Sequence, residues 1–349
     1  MIRRAIRYTV IVGAMILAPS VGAQESTSEL RVKLSSPDGS QVNGALVALL
    51  DPKDSVVAEG LASEDGVRIL RAPRGAYRVR VRRIGYLPFV STELTLPRAN
   101  ELVLNVESPR VVLQSIVVNS KSQCGRNDPN AQALSTVWDE IDKALRSSEL
   151  TLMDLAGIGR ARVYRREMGT DGSVVKGDST DFSITDRRPF GAIDPDTLAH
   201  NGYVVGSLEN GTTYFGPDES VLRSEQFGAT HCFRLVRLRG HPGEIGVSFE
   251  PTPKRELPDI TGVIWVDQAS AELREINFRF VNGGPMTTAY AGGFTRFRRV
   301  PSGAWIVDEW KLSVPRLGIT QTTSVPNPRR TVIVIGRVDY GGGILRAPQ

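Results

Sequence analysis

Residues 73–86 read Pro-Arg-Gly-Ala-Tyr-Arg-Val-Arg-Val-Arg-Arg-Ile-Gly-Tyr. A Pro-Arg-Gly turn introduces Tyr77, Val79 and Val81, which alternate strictly with Arg78, Arg80 and Arg82. A two-residue period puts the three apolar side chains on one face of a strand and the three arginines on the other. The same pattern extends in both directions. Upstream, Leu30, Val32 and Leu34 alternate with polar neighbours before a Pro37-Asp38-Gly39 turn. Val42, Ala45, Val47 and Leu49 then precede a Glu64-Asp65-Gly66 turn, with Val67 and Ile69 after it. Downstream come Leu94 and Leu96, then Leu102, Leu104 and Val106. Short alternating runs between turn signals predict an all-β, immunoglobulin-like sandwich, and the chain as a whole is expected to be mainly β.

The chain has 349 residues, enough for two domains. Its 40% hydrophobic and 23% charged content excludes a disordered chain and a bundle of membrane helices. A basic segment, Met1 to Arg7, is followed by an apolar run from Tyr8 to Ala18 and small residues at Val21-Gly22-Ala23. This is the pattern of a cleaved export signal over residues 1–23, leaving Gln24 as the new N-terminus. The run is shorter than the roughly 20 residues of a membrane span, and no later segment reaches that length, so the processed chain is not expected to span a membrane. Arg3, Arg4 and Arg7 fall within the leader, which reduces the formal charge from +5 to +2. So small an excess implies no nucleic-acid partner. The expected location is the periplasm, the outer-membrane periphery or the extracellular space. In such an oxidising compartment the only two cysteines, Cys124 and Cys232, are expected to form a disulfide.

The motifs of the first domain, residues 24–107, resemble those of the carboxypeptidase regulatory-like domain. The order is Asp38-Gly39, Gly44-Ala45-Leu46-Val47, Glu64-Asp65-Gly66, Pro73-Arg74-Gly75-Ala76-Tyr77 and Arg83-Ile84-Gly85-Tyr86. The resemblance covers nearly all of residues 28–107 and implies a small transthyretin-like sandwich without catalytic residues. It also implies a broader structural kinship with carbohydrate-binding-like folds, by analogy of fold alone. Arg78, Arg80 and Arg82 share a strand face and form a candidate anion-binding surface, although residues 24–107 hold 11 basic and 11 acidic side chains.

Residues 108–128 read as a connector. Its apolar run from Val111 to Val118 is expected to form a final strand leading into the second domain, residues 129–349. Asp128 and Pro129 open a helix in which Leu134, Val137, Trp138, Ile141 and Leu145 share one face. Beyond Gly159 the pattern returns to strands and turns, with an Asn210-Gly211 hairpin signature and successive alternating runs to Tyr340. A large curved antiparallel sheet covered by that one helix is expected. Two stretches, Pro258 to Asp267 and Gly303 to Val307, make residues 245–315 similar to outer-membrane lipoprotein-sorting and carrier proteins. That resemblance implies an apolar cavity, for which Trp265, Phe278, Phe280, Trp305 and Trp310 are the candidate lining residues.

Catalytic signatures are sparse. His241-Pro242-Gly243-Glu244 matches a zinc HxxE pair, but no histidine follows to complete a site. His231 and Cys232 are strand neighbours whose side chains point apart. Asp194 and Asp196 flank Pro195 without the spacing of a calcium loop. There is no GxSxG elbow, P-loop or dinucleotide fingerprint. The expectation is therefore an exported, non-enzymatic envelope protein without metal or cofactor, which binds a protein, carbohydrate or lipid. The alternatives are a periplasmic lipid or lipoprotein carrier and, more remotely, a divergent hydrolase.

Overall fold

The computed structural model describes residues 27–37, 39, 42–107, 109–116, 118, 129–154, 159–184, 193–207, 209–288, 290–321 and 330–345. The leader, Cys124 and the Asp128 cap lie outside the described residues. Two small sheets form the N-terminal sandwich. In the first, β1 (Ser28–Ser35) pairs antiparallel with β4 (Val67–Ala72) and parallel with β8 (Leu102–Asn105). In the second the order is β3 (Val56–Leu61), β2 (Leu46–Leu50), β5 (Gly75–Arg82), β6 (Phe89–Val90), with β7 (Leu94–Leu96) also on β5. Leu30, Val32 and Leu34 of β1 meet Val47, Leu49, Tyr77, Val79 and Val81 in the core, as the alternation requires.

Strand β2 in the second sheet of the sandwich is buried on both faces. Leu46, Ala48 and Leu50 point away from the sandwich core, yet each is only 2% exposed. Their cover is helix α1 (Ala131–Asp154), whose Leu150 packs with Leu46 and Leu61. On its other face α1 sends Val137, Ile141, Ala144 and Leu145 into the largest core of the molecule.

That larger core belongs to the second domain. Here β9 (Arg160–Met168) and β10 (Val174–Ser183) form a hairpin, followed by α2 (Pro195–Asn201). A separate hairpin, β11 (Val204–Ser207) and β12 (Gly211–Tyr214), turns at Asn210-Gly211. Two short helices, α3 (Glu219–Leu222) and α4 (Glu225–Thr230), then lead into β13 (His231–Val236). The remaining strands are β14 (Glu244–Pro251), β15 (Asp259–Asp267), β16 (Leu273–Val281), β17 (Gly292–Arg299), β18 (Trp305–Gln321) and β19 (Arg330–Leu345). Among the described residues, nine strands make one antiparallel sheet in the order β10-β9-β19-β18-β17-β16-β15-β14-β13.

One expectation is corrected. Residues 111–118 form no strand among the described residues; Val111, Leu113, Ile116 and Val118 instead lay their side chains on the core as an extended connector. The expected mainly β fold, a large antiparallel sheet with few helices, is observed, and the short helices α2, α3 and α4 join the long α1 over the apolar face of the sheet. Leu198, Val221, Leu222 and Phe227 from these short helices are all part of that core.

The faces of α1 are joined to both domains by charge. Lys143 has no exposed surface, and its ammonium donates to the Tyr86 carbonyl at 2.8 Å and to Glu140 at 2.7 Å, with Asp139 at 2.8 Å. The second oxygen of Glu140 accepts the Gly85 N–H at 2.7 Å. A chain of alternating charges runs alongside. Glu59 of the sandwich meets Arg146, Arg146 meets Glu149, and Glu149 meets Arg223 after α3. Arg223 then meets Asp142, and Asp142 returns to Arg82 of the sandwich at 2.8 Å.

Two outcomes follow from this arrangement. Lys143→Met strands a buried carboxylate and is expected to cost about 3–5 kcal/mol in urea unfolding, with the double variant Glu140→Gln/Lys143→Met recovering most of it. A single variant as stable as the parent would contradict the assignment. Burial opposes the charge of Asp142, but Arg223 and Arg82 outweigh it and hold the carboxyl below its ordinary value of 3.8. Its stabilising contribution is therefore complete above that value and is lost as pH falls through the lower folded value. Urea midpoints should drop below about pH 4, and less steeply in Asp142→Asn, which should also be weaker at neutral pH.

Candidate functional site

The apolar face of the large sheet is not covered along its whole length. Where α1 and the short helices end, hairpin β11–β12 and the loop to α3 stand over β16–β19 and leave a cleft of about 430 Å³. Register explains the hollow. Phe278 of β16 lies opposite Gly293 of β17, which lies in turn opposite Leu312 of β18. A Cβ at Gly293 would come within 2.9 Å of the Phe278 ring, so glycine there lets the ring lie against the strand. The walls also include Tyr214, Trp310 and Tyr340.

Polar groups are few at this site. Tyr214 donates its hydroxyl to the Met286 carbonyl at 2.9 Å, and burial pushes its pKa up to about 12, so it stays neutral. Asp218 on the cleft wall is engaged as the N-cap of α3, accepting the Val221 N–H at 2.9 Å. Lys311, between the wall residues Trp310 and Leu312, turns its side chain to the other side of the sheet, where its ammonium lies 5.5 Å from the Phe294 ring centre.

Of the five aromatic residues expected to line one cavity, Phe278 and Trp310 do so. Phe280 lies in the core, 1% exposed, edge-on to Tyr214 and Phe278. Trp305 is fully buried near the sandwich. Trp265 lies outside the main core cluster, stacked on His241 at 3.8 Å and bonded through its indole N–H to Asn277. Adjacent strand residues face opposite ways, and Trp265 follows the core residue Ile264, which puts it on the other side of the sheet.

The arginine face is likewise dispersed by the fold. Arg78 pairs with Asp54, and Arg82 is held by Asp142 and Asp139 of α1. Carboxylates of the protein itself thus take the place of the expected anion at Arg78 and Arg82, whereas the buried Nε of Arg80 has no hydrogen-bond partner among the described residues. His241 bonds Glu244 at 2.7 Å, and among the described residues no group of three metal-ligating side chains occurs. Asp194 caps α2 and Asp196 accepts from Gln226.

Sequence reasoning missed a buried network at the start of β13. His231 lies 3.1 Å from Asp259, and Asp259 also meets Arg255. Arg255 donates to the carbonyls of Leu198 and Ala199 at the end of α2. The side chains of His231 and Asp259 have no exposed surface, so the network clips α2 to the sheet and has no access to substrate. It also missed Tyr214 and Tyr340 as cleft residues. The hairpin signature and the Leu312–Tyr340 pairing carry that signal only once the sheet order is known.

No protein-family model matches this chain, and no curated protein is significantly similar to it. Cys232 is buried on β13 and Cys124 lies outside the described residues, among which there is no free cysteine. A peptide map under non-reducing conditions should contain one cross-linked peptide joining Cys124 to Cys232. Closing a loop of that length is worth on the order of 4 to 5 kcal/mol on the chain-entropy account. Reaction of both thiols with maleimide before reduction would refute the bridge.

Proposed function

We propose that this chain is an exported, non-enzymatic binding protein of the cell envelope, with a carboxypeptidase regulatory-like sandwich as its first module. Its ligand is an amphiphile whose apolar part lies in the cleft between hairpin β11–β12 and the large sheet. The carrying observation is that cleft, about 430 Å³ and walled by Phe278, Trp310, Tyr340, Leu312 and Val314. That volume falls within the range of small-molecule sites. An apolar chain gains by burial against such walls. A carbohydrate is less well served, because hydroxyl groups need free carboxylates or amides, and Asp218 is already engaged. The export pattern of residues 1–23 supplies the envelope setting. The lipid-carrier reading is favoured over scaffolding by the same cleft, although the sheet beneath α1 is filled by side chains rather than hollow.

The test is titration with a fluorescent fatty acid, alongside mass spectrometry of small molecules extracted from natively purified protein. Saturable binding is expected, weakened about tenfold by Trp310→Ala, as removal of a buried aromatic contact implies. Tyr340→Ala removes a partly exposed wall residue and should weaken binding while leaving the melting temperature in place. Absence of saturable binding, or binding in both variants as tight as in the parent, would overturn the reading.

A further inference from the structure

A second cleft, of about 320 Å³, lies at the junction of the two domains, away from the aromatic site. The sandwich contributes Asn43, Gly44 and the Arg83–Tyr86 loop, and the connector that follows it contributes Arg110. The second domain contributes Ser270, Glu272, Arg299, Gly303 and Trp305. Its two walls are locked together at one point. Gly44 and Gly303 cross so closely that a Cβ on Gly44 would lie 2.1 Å from the Gly303 carbonyl oxygen. Both have positive φ, which is natural to glycine. Asn43 further ties the walls, donating its amide to the Pro301 carbonyl at 3.1 Å.

The chemistry of this cleft is unbalanced. Arg83 lies 4.0 Å over the Tyr86 ring, with Arg110 5.5 Å from the same ring centre. Neither Arg110 nor Arg299 forms an ion pair among the described residues, and both are exposed. The cleft carboxylate, Glu272, is paired with Arg274 at 3.2 Å. Among the described residues, two buried polar atoms on the walls also lack partners, the Trp305 indole N–H and the Asn43 side-chain oxygen. Trp305 has no exposed surface. A buried donor without an acceptor costs roughly 1–3 kcal/mol, a penalty that a bound ligand would relieve. The orientation of Asn43 is fixed by its bond to Pro301, so its free oxygen needs a donor.

We propose that this junction binds a small hydroxylated anion, with a phosphate or carboxylate group held by Arg110 and Arg299. The anionic group answers two guanidinium groups, one on the connector beside the sandwich and one in the second domain. Its oxygen atoms offer an acceptor to Trp305, and its hydroxyl offers a donor to Asn43. Such a ligand would bridge sandwich and sheet, so that occupancy raises the stability of the whole chain.

The test uses glycerol 3-phosphate, glycerate and glycerol as probes at constant ionic strength, read by calorimetric titration and melting temperature. At least one of the two anions should bind saturably and raise the melting temperature, and glycerol should do neither. Which anion binds distinguishes a phosphate from a carboxylate site. Arg110→Gln/Arg299→Gln should weaken binding by at least about tenfold, since two charge-assisted contacts are removed from exposed positions that the fold does not need. Trp305→Phe should weaken it less, and Tyr340→Ala, in the other cleft, not at all. Failure of both anions to bind saturably, or equal affinity in the double arginine variant, would overturn the proposal.

Discussion

A lysine without exposed surface is the constraint on which the rest of this structure depends. Lys143 can remain charged inside the protein only with acceptors around it, and these come from its own helix and from the loop after β5. The pair it makes with Glu140 therefore holds the Arg83–Tyr86 loop of the sandwich against α1. The opposite face of α1 is fixed by Val137, Ile141 and Leu145 in the core of the second domain. One helix is thus packed between two β-structures. Both clefts inherit their shape from that arrangement: one opens where helical cover of the sheet stops, the other beside the clamped loop.

The sandwich and its strand faces were legible in the sequence because period-2 alternation is a direct consequence of pleating. Tyr77, Val79 and Val81 go inward as that rule demands. Harder to read was the outer face of the same sheet. The unbroken run Ala45-Leu46-Val47-Ala48-Leu49-Leu50 carries the signal of a strand buried on both sides, yet it does not say what covers it. Arg82 looked like part of a free basic face for the same reason, since its carboxylate partners lie 57 and 60 residues away, in α1. In the second domain the helical face was evident, whereas the sheet order was not. Without that order, Trp265 and Phe278 look alike, although one stacks on His241 and the other lines the cleft.

Chemical function follows from what is sealed and what is open. The His231–Asp259–Arg255 network has the composition of a catalytic relay but is closed to solvent, and its remaining donors are engaged by the carbonyls of α2. The accessible hollows offer instead an aromatic surface and a pair of uncompensated arginines. Both suit the ligand binding proposed for this chain, and both are built on strands or on loops locked by packing, where little ordering is needed on binding.

The central claim is that α1 makes sandwich and sheet one cooperative unit. Differential scanning calorimetry of the full chain tests it most directly. The account predicts a single transition whose calorimetric and van't Hoff enthalpies agree, because neither domain keeps its buried face once α1 leaves. Two resolved transitions, with the sandwich melting independently of the second domain, would contradict it.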